Sequence, residues 1–137
     1  MNKNLKSIIY LIGIVLIVLF VIIVMTSVNN KKRREEDKLY STFNQVIKDY
    51  YKDYYYKVVL NNNSSNAEDI KTTGIKISLR DLAKYKGTDE DSILSQFKNY
   101  QNNQPCDYDN TKAIIYPVHP YGSEDIRIES TVVCGIK

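Results

Sequence analysis

The sequence predicts an α+β fold: a long N-terminal helix, transmembrane in its first half and amphipathic in its second, packed on a small antiparallel β-sheet with short helices. Three observations lead there. Ile8 to Val28 is an uncharged run made mostly of Ile, Val and Leu. Residues 35–59 repeat their apolar side chains at steps of three and four. The last third of the chain alternates apolar and polar residues in short segments broken by Pro and Gly.

The run IIYLIGIVLIVLFVIIVMTSV, at a rise of about 1.5 Å per residue, spans roughly 30 Å, the thickness of a bilayer's hydrocarbon core. A cleaved signal peptide has a shorter apolar region and a small-x-small exit. This run is longer and ends in the bulky Val24, Met25, Thr26, Ser27 and Val28, with no cysteine to be lipidated. A retained single-pass anchor in a cell membrane is therefore expected, with residues 1–29 as tail and transmembrane helix and the lipid bilayer as the first partner.

No Gly or Pro occurs between Gly13 and Gly74, so the anchor and the next segment can form one helix. From Ile8 to Val58 it would be about 75 Å long. Residues 30–59 are expected to be a juxtamembrane amphipathic helix. Leu39, Phe43, Val46, Tyr50, Tyr54 and Val58 form one stripe, widened by Ile47, Tyr51 and Tyr55, with Lys48, Asp49, Lys52 and Asp53 opposite. Tyr50, Tyr51, Tyr54 and Tyr55 fit the apolar face of a helix on a sheet, and are the candidate partner-contact aromatics.

Residues 60–137 form the third segment, a small α+β head. Asn61 to Asn66 reads as a loop, and Ile75, Ile77 and Leu79 as a short strand or extended lead-in. Ser78-Leu79-Arg80-Asp81 has the form of a capping box opening a helix through Tyr85. Thr88-Asp89-Glu90-Asp91 repeats it, opening a second helix with Ile93, Leu94 and Phe97 inward. Lys112 to Tyr116 is a strand stopped by Pro117, Val118 to Asp125 a turn, and Ile126 to Cys134 a strand with Ile126, Ile128, Ser130 and Val132 on one face. Such a hairpin is too small to stand alone, and the tyrosine-striped helix is its natural cover.

Cys106 and Cys134 are the only cysteines, 28 positions apart. Two cysteines and the single His119 are too few for a zinc site. A disulfide is expected instead, and closing that separation is worth about 3.6 kcal/mol on the chain-entropy estimate. In a head of this size such a staple weighs heavily. The bond requires an oxidising compartment, which places the head outside the cytoplasm. The flanking charges point the other way. Lys31, Lys32, Arg33 and Arg34 form a juxtamembrane basic cluster with Lys38 beyond it, against Lys3 and Lys6 on the N-terminal side. The paired cysteines and the short N-terminal tail favour the exported head. There Asn62-Asn63-Ser64 and Asn63-Ser64-Ser65 would become glycosylation acceptors in a eukaryotic source.

The formal charge of +3 is modest, and Glu35, Glu36 and Asp37 follow the basic cluster at once, so no nucleic-acid partner is expected. The cluster could instead meet anionic lipid headgroups. Asp107, Asp109 and Asn110, like Asp89, Glu90 and Asp91, lack the alternating acids, central Gly and twelfth-position Glu of a calcium loop. No G-x-S-x-G, H-E-x-x-H, phosphate loop or dinucleotide fingerprint occurs. No enzymatic role, metal or cofactor is expected.

An apolar N-terminal helix running into an amphipathic one, a small antiparallel sheet, and Cys106 with Cys134 in the place of a C-terminal disulfide loop together resemble type IV pilins and pseudopilins. The layout is similar, more loosely, to small pilin-like exported proteins of Gram-positive bacteria. The resemblance covers the whole chain as architecture. It implies a structural protein acting through protein–protein contacts, with a protein partner or further copies of itself. The family's processing Gly and its acidic residue inside the apolar run have no counterpart, since Gly13 lies within the run and the first Glu is Glu35. The other role this layout suggests is an accessory or binding subunit of a cell-envelope or viral membrane complex.

Overall fold

Helix α1 (Lys3–Tyr50) runs on as a π-helix over Tyr51–Val59, followed by α2 (Ser64–Asp69), β1 (Ile75–Ser78), α3 (Leu79–Tyr85), β2 (Lys112–Pro117) and β3 (Ile126–Thr131). The structure, a computed structural model, describes residues 3–85 and 93–135, with side chains from residue 9 onward. The predicted helix start at Thr88 to Asp91 lies outside the described residues. The fold is α+β, as expected. The chain divides into two compact units, Met1–Asp37 and Lys38–Lys137. The division falls inside the stretch assigned to the amphipathic helix, so most of that helix belongs to the head.

In the first unit, α1 is long and apolar enough to cross a membrane, and none of its most apolar stretch is buried within the protein. Thr26 does not interrupt it, because its hydroxyl donates to the carbonyls of Ile22 (2.9 Å) and Ile23 (3.0 Å). Lys31, Lys32, Arg33 and Arg34 are all exposed, and Lys32 faces Glu36 one turn on, at 3.9 Å.

In the second unit, the apolar stripe of the helix builds the core. Phe43, Ile47 and Tyr51 are fully buried, and Leu39, Val46, Tyr50 and Tyr55 pack beside them. Phe43 meets Phe97 edge-on at 5.7 Å. The expected stripe ends early, however: Val58 is 59% exposed. From Tyr51 the helix takes the wider π turn, and the Leu60 N–H donates to the Tyr55 carbonyl five residues back (2.9 Å). Ring neighbours accordingly fall five apart as well as four, with Tyr50 against Tyr55 at 6.2 Å and Tyr51 against Tyr56 at 6.0 Å. That change of period turns Val58 and Val59 outward.

The polar stretch Asn61 to Asn66, expected to be a loop, is half helix. The Asn63 side chain accepts from the Ser65 N–H (2.9 Å) and caps α2, while the Asn66 amide donates to the Leu60 carbonyl. Ala67 is buried beneath it. The sheet has three antiparallel strands in the order β1-β2-β3. Ile75 and Ile77 of β1 and Ala113, Ile115 and Pro117 of β2 are buried, and Ile126, Ile128 and Ser130 of β3 are half-buried. The register sets Ile75, Ile115 and Ile128 side by side. β3 stops at Thr131, short of the expected Cys134. Beyond it, Thr111, fully buried, accepts from the Val133 N–H (3.1 Å) and donates to the Val133 carbonyl (3.3 Å). Cys106 and Cys134 are joined by a disulfide, between the segment before β2 and the segment after β3.

Candidate functional site

The helix turn at Tyr50 and the capping box of α3 bring the aromatic residues together. Ser78 opens α3 as expected: its N–H (3.0 Å) and hydroxyl (2.6 Å) both donate to Asp81 Oδ2, and its oxygen accepts from the Asp81 N–H. Those two hydrogen bonds from Ser78 hold the Asp81 carboxyl below the usual aspartate range. Asp81, Lys84 and Tyr85 of α3, with Tyr50 and Tyr54 of the long helix, line an open groove of about 440 Å³. Tyr85 meets Tyr50 edge-on at 5.0 Å and Tyr54 at 4.8 Å.

The four predicted aromatics thus separate. Tyr50 and Tyr54 line the groove, Tyr55 is half-buried beside it, and Tyr51 lies wholly in the core. Burial pushes the Tyr50 and Tyr51 hydroxyls up to about 12, with neighbouring tyrosines adding to it. The Tyr51 hydroxyl is buried with no hydrogen-bond partner among the described residues. Tyr85 was not distinguishable in the sequence, since it stands outside the helix whose periodicity singled out the others.

Two further surface features bind the head's segments to one another. Arg80 makes a two-pronged pair with Asp109, at 2.6 Å and 3.0 Å, which lowers the Asp109 carboxyl. Asp107 accepts the Asp109 and Asn110 N–H groups and the Asn110 amide, so the acids of this segment brace a turn. Lys52 pairs with Glu124, and the hydrogen bond raises the lysine and lowers the glutamate. The spacing of these partners in sequence, 29 and 72 residues, left no local pattern to read.

Among the described residues, no group of three or more His, Cys, Asp or Glu could hold a metal ion. His119 is exposed, with its ring edge-on to Tyr121 at 5.8 Å. Both cysteines are spent on the disulfide, so neither offers a thiolate nucleophile. The described surface of the head carries an aromatic groove and paired charges. No family model matches the chain, and neither a curated protein nor a solved structure matches it.

Proposed function

We propose that this is a single-pass membrane protein with an exported, pilin-like head, acting structurally through protein–protein contacts. The observation that carries the reading is the apolar half of α1. Its large side chains from Ile9 to Val28 are all exposed, from 44% at Val24 to 78% at Tyr10. Water would charge roughly 25 cal/mol for each Å² of that surface, and lipid removes the cost. The backbone there is internally hydrogen-bonded, as a bilayer requires. The disulfide supports an oxidising compartment for the head, and the helix-plus-small-sheet layout supports the likeness to pilins. Partners follow from these features: a bilayer, and a protein partner or further copies of the chain. Lys31 to Arg34 would sit at the membrane surface.

A second reading, an accessory or binding subunit of an envelope or viral membrane complex, is favoured by the groove of Tyr50, Tyr54 and Tyr85. Purified membranes distinguish the two. Homo-oligomers or detergent-resistant filaments support the first, and a stoichiometric foreign protein supports the second.

The deciding test for both uses a membrane-impermeant thiol reagent on intact cells, before and after reduction. An exported, disulfide-bonded head labels only after reductant is added outside. Labelling without reductant, and only once the membrane is opened, refutes the exported head. Intact mass of the membrane-extracted chain checks the anchor, since cleavage after the apolar run would make it a signal peptide.

A further inference from the structure

Three tyrosine rings meet where the long helix passes α3, and they lie too close together to admit anything between them. The centroids of Tyr50, Tyr54 and Tyr85 are 4.8 Å, 5.0 Å and 5.6 Å apart. A ligand of their groove lies on the outer ring faces, which are the negative side of the aromatic quadrupole. Elsewhere the chain covers such faces with its own cations. The Arg127 guanidinium stands over the Tyr116 ring at 4.4 Å, and Arg80 and Lys71 stand over Tyr108 and Tyr121, each at 5.9 Å. Among the described residues no cation lies over Tyr50, Tyr54 or Tyr85, although Lys84 lines the same groove.

The charges around the cluster are out of balance in the direction a cation needs. Asp81 acts on Tyr50, and Asp49 and Asp53 act on Tyr85. Against these three carboxylates stand two ammonium groups, Lys84 and Lys57, which leaves one negative charge over. Lys57 is spent on Asp53, at 3.1 Å. Ser78 occupies only Oδ2 of Asp81, so Oδ1 is left as an acceptor at the wall of the groove. We propose that the groove of Tyr50, Tyr54 and Tyr85 takes an arginine side chain of a partner protein, its guanidinium stacked on the rings and bonded to Asp81.

Arginine suits the groove better than lysine, because a planar guanidinium can stack on a ring and fork toward a carboxylate at once. An ammonium group is a compact point charge that holds its water. The chain's own arginines are committed elsewhere. Arg80 and Arg127 pair with Asp109 and Glu129, and Arg33 and Arg34 lie at the proposed membrane surface. The occupant is therefore a foreign chain. This rests on the reading of the protein as an accessory or binding subunit and names the chemistry of its partner.

The test titrates the full chain, in detergent micelles and with isotope-labelled tyrosine rings, with acetyl-Gly-Arg-Gly-amide. The comparison is the same peptide with citrulline, neutral and of nearly the same shape, in place of arginine. The arginine peptide should move the Tyr54 and Tyr85 ring signals and bind about tenfold more tightly than the citrulline peptide. Tyr50 also packs against the core cluster, so the variants are made at Tyr54. Tyr54→Leu should lose the preference, and Tyr54→Phe, which keeps the ring face and drops only the hydroxyl, should retain it. Equal binding of the two peptides overturns the proposal. So do shifts confined to other tyrosines, the absence of any shift, or a folded Tyr54→Leu that still prefers arginine. The wild-type comparison decides even where Tyr54→Leu does not fold. Purified membranes read the underlying role separately. A stoichiometric foreign protein without an arginine preference removes the proposal alone, whereas homo-oligomers without a foreign protein remove the binding-subunit reading and its partner together.

Discussion

Replacing Tyr51 by Phe should make the head more stable, although it deletes a polar group from a fully buried core residue. Tyr51 is 0% exposed, and its hydroxyl finds no partner among the described residues. Burying an unsatisfied hydroxyl costs about 1–3 kcal/mol, while the ring carries the packing. That ring lies nearly parallel to Tyr55 at 6.2 Å and tilted against Tyr56 at 6.0 Å, and Phe preserves both contacts. Tyr51→Phe is therefore expected to gain about 1 kcal/mol, or about 4–8 °C for a head near 100 residues. Tyr51→Ala, which empties the site, should lose about 3–5 kcal/mol. Urea unfolding of the detergent-solubilised chain, followed by near-ultraviolet circular dichroism, measures both. The midpoint should rise for Phe at constant slope. A fall of 1 kcal/mol or more for Tyr51→Phe would show that the hydroxyl is bonded, and would refute the reasoning.

Three further outcomes follow from named contacts. Because burial lifts the Tyr50 and Tyr51 hydroxyls to about 12 from an ordinary value of 10.0, the unfolded chain loses these protons first. Their contribution to stability should be flat between neutral pH and about pH 10 and fall between about 10 and 12, by up to about 1.4 kcal/mol per pH unit for each tyrosine; Tyr51→Phe should remove one share of that slope in midpoint-against-pH titrations. Reducing the Cys106–Cys134 bond, across a separation of 28 residues, should cost the head about 3.6 kcal/mol, and a melt indifferent to reductant would contradict it. Gly74→Ala should destabilise by about 2–4 kcal/mol in the same assay. Gly74 has φ +66°, and an added Cβ would lie 2.7 Å from the Ile114 Cγ2 and 2.9 Å from the Tyr116 ring.

Phe43, Ile47 and Tyr51 were visible as core because helical period alone places them on one face. Ser78 and Asp81 were visible as a cap because the two partners sit three residues apart. Val58 fits the stripe only at a constant helical period, and nothing in KDYYYKVV announces the five-residue turn that moves it outward. Asn63 shows no cap signal in the sequence because the helix it opens is only six residues long, too short for periodicity to appear. In the candidate groove, Tyr50 and Tyr54 were legible from periodicity. Tyr85 was not, since its place depends on how α3 docks against the long helix.

The proposed anchor also explains why two halves of one helix obey different rules. From Ile9 to Val28 apolar residues surround the axis with no polar face, so periodicity carries no information and only total hydrophobicity matters. From Leu39 the apolar residues narrow to a stripe, and Lys48, Lys52 and Asp53 occupy exposed positions around it. A helix enclosed by one uniform solvent needs no stripe, whereas a helix lying between a sheet and water cannot do without one. The change from one pattern to the other spans Asn29 to Lys38, where charge first enters the chain after the apolar run. That is where a membrane surface has to lie if lipid is the solvent of the first half. The same logic makes Lys31 to Arg34 a consequence of position: exposed bases at that depth meet headgroups, not hydrocarbon.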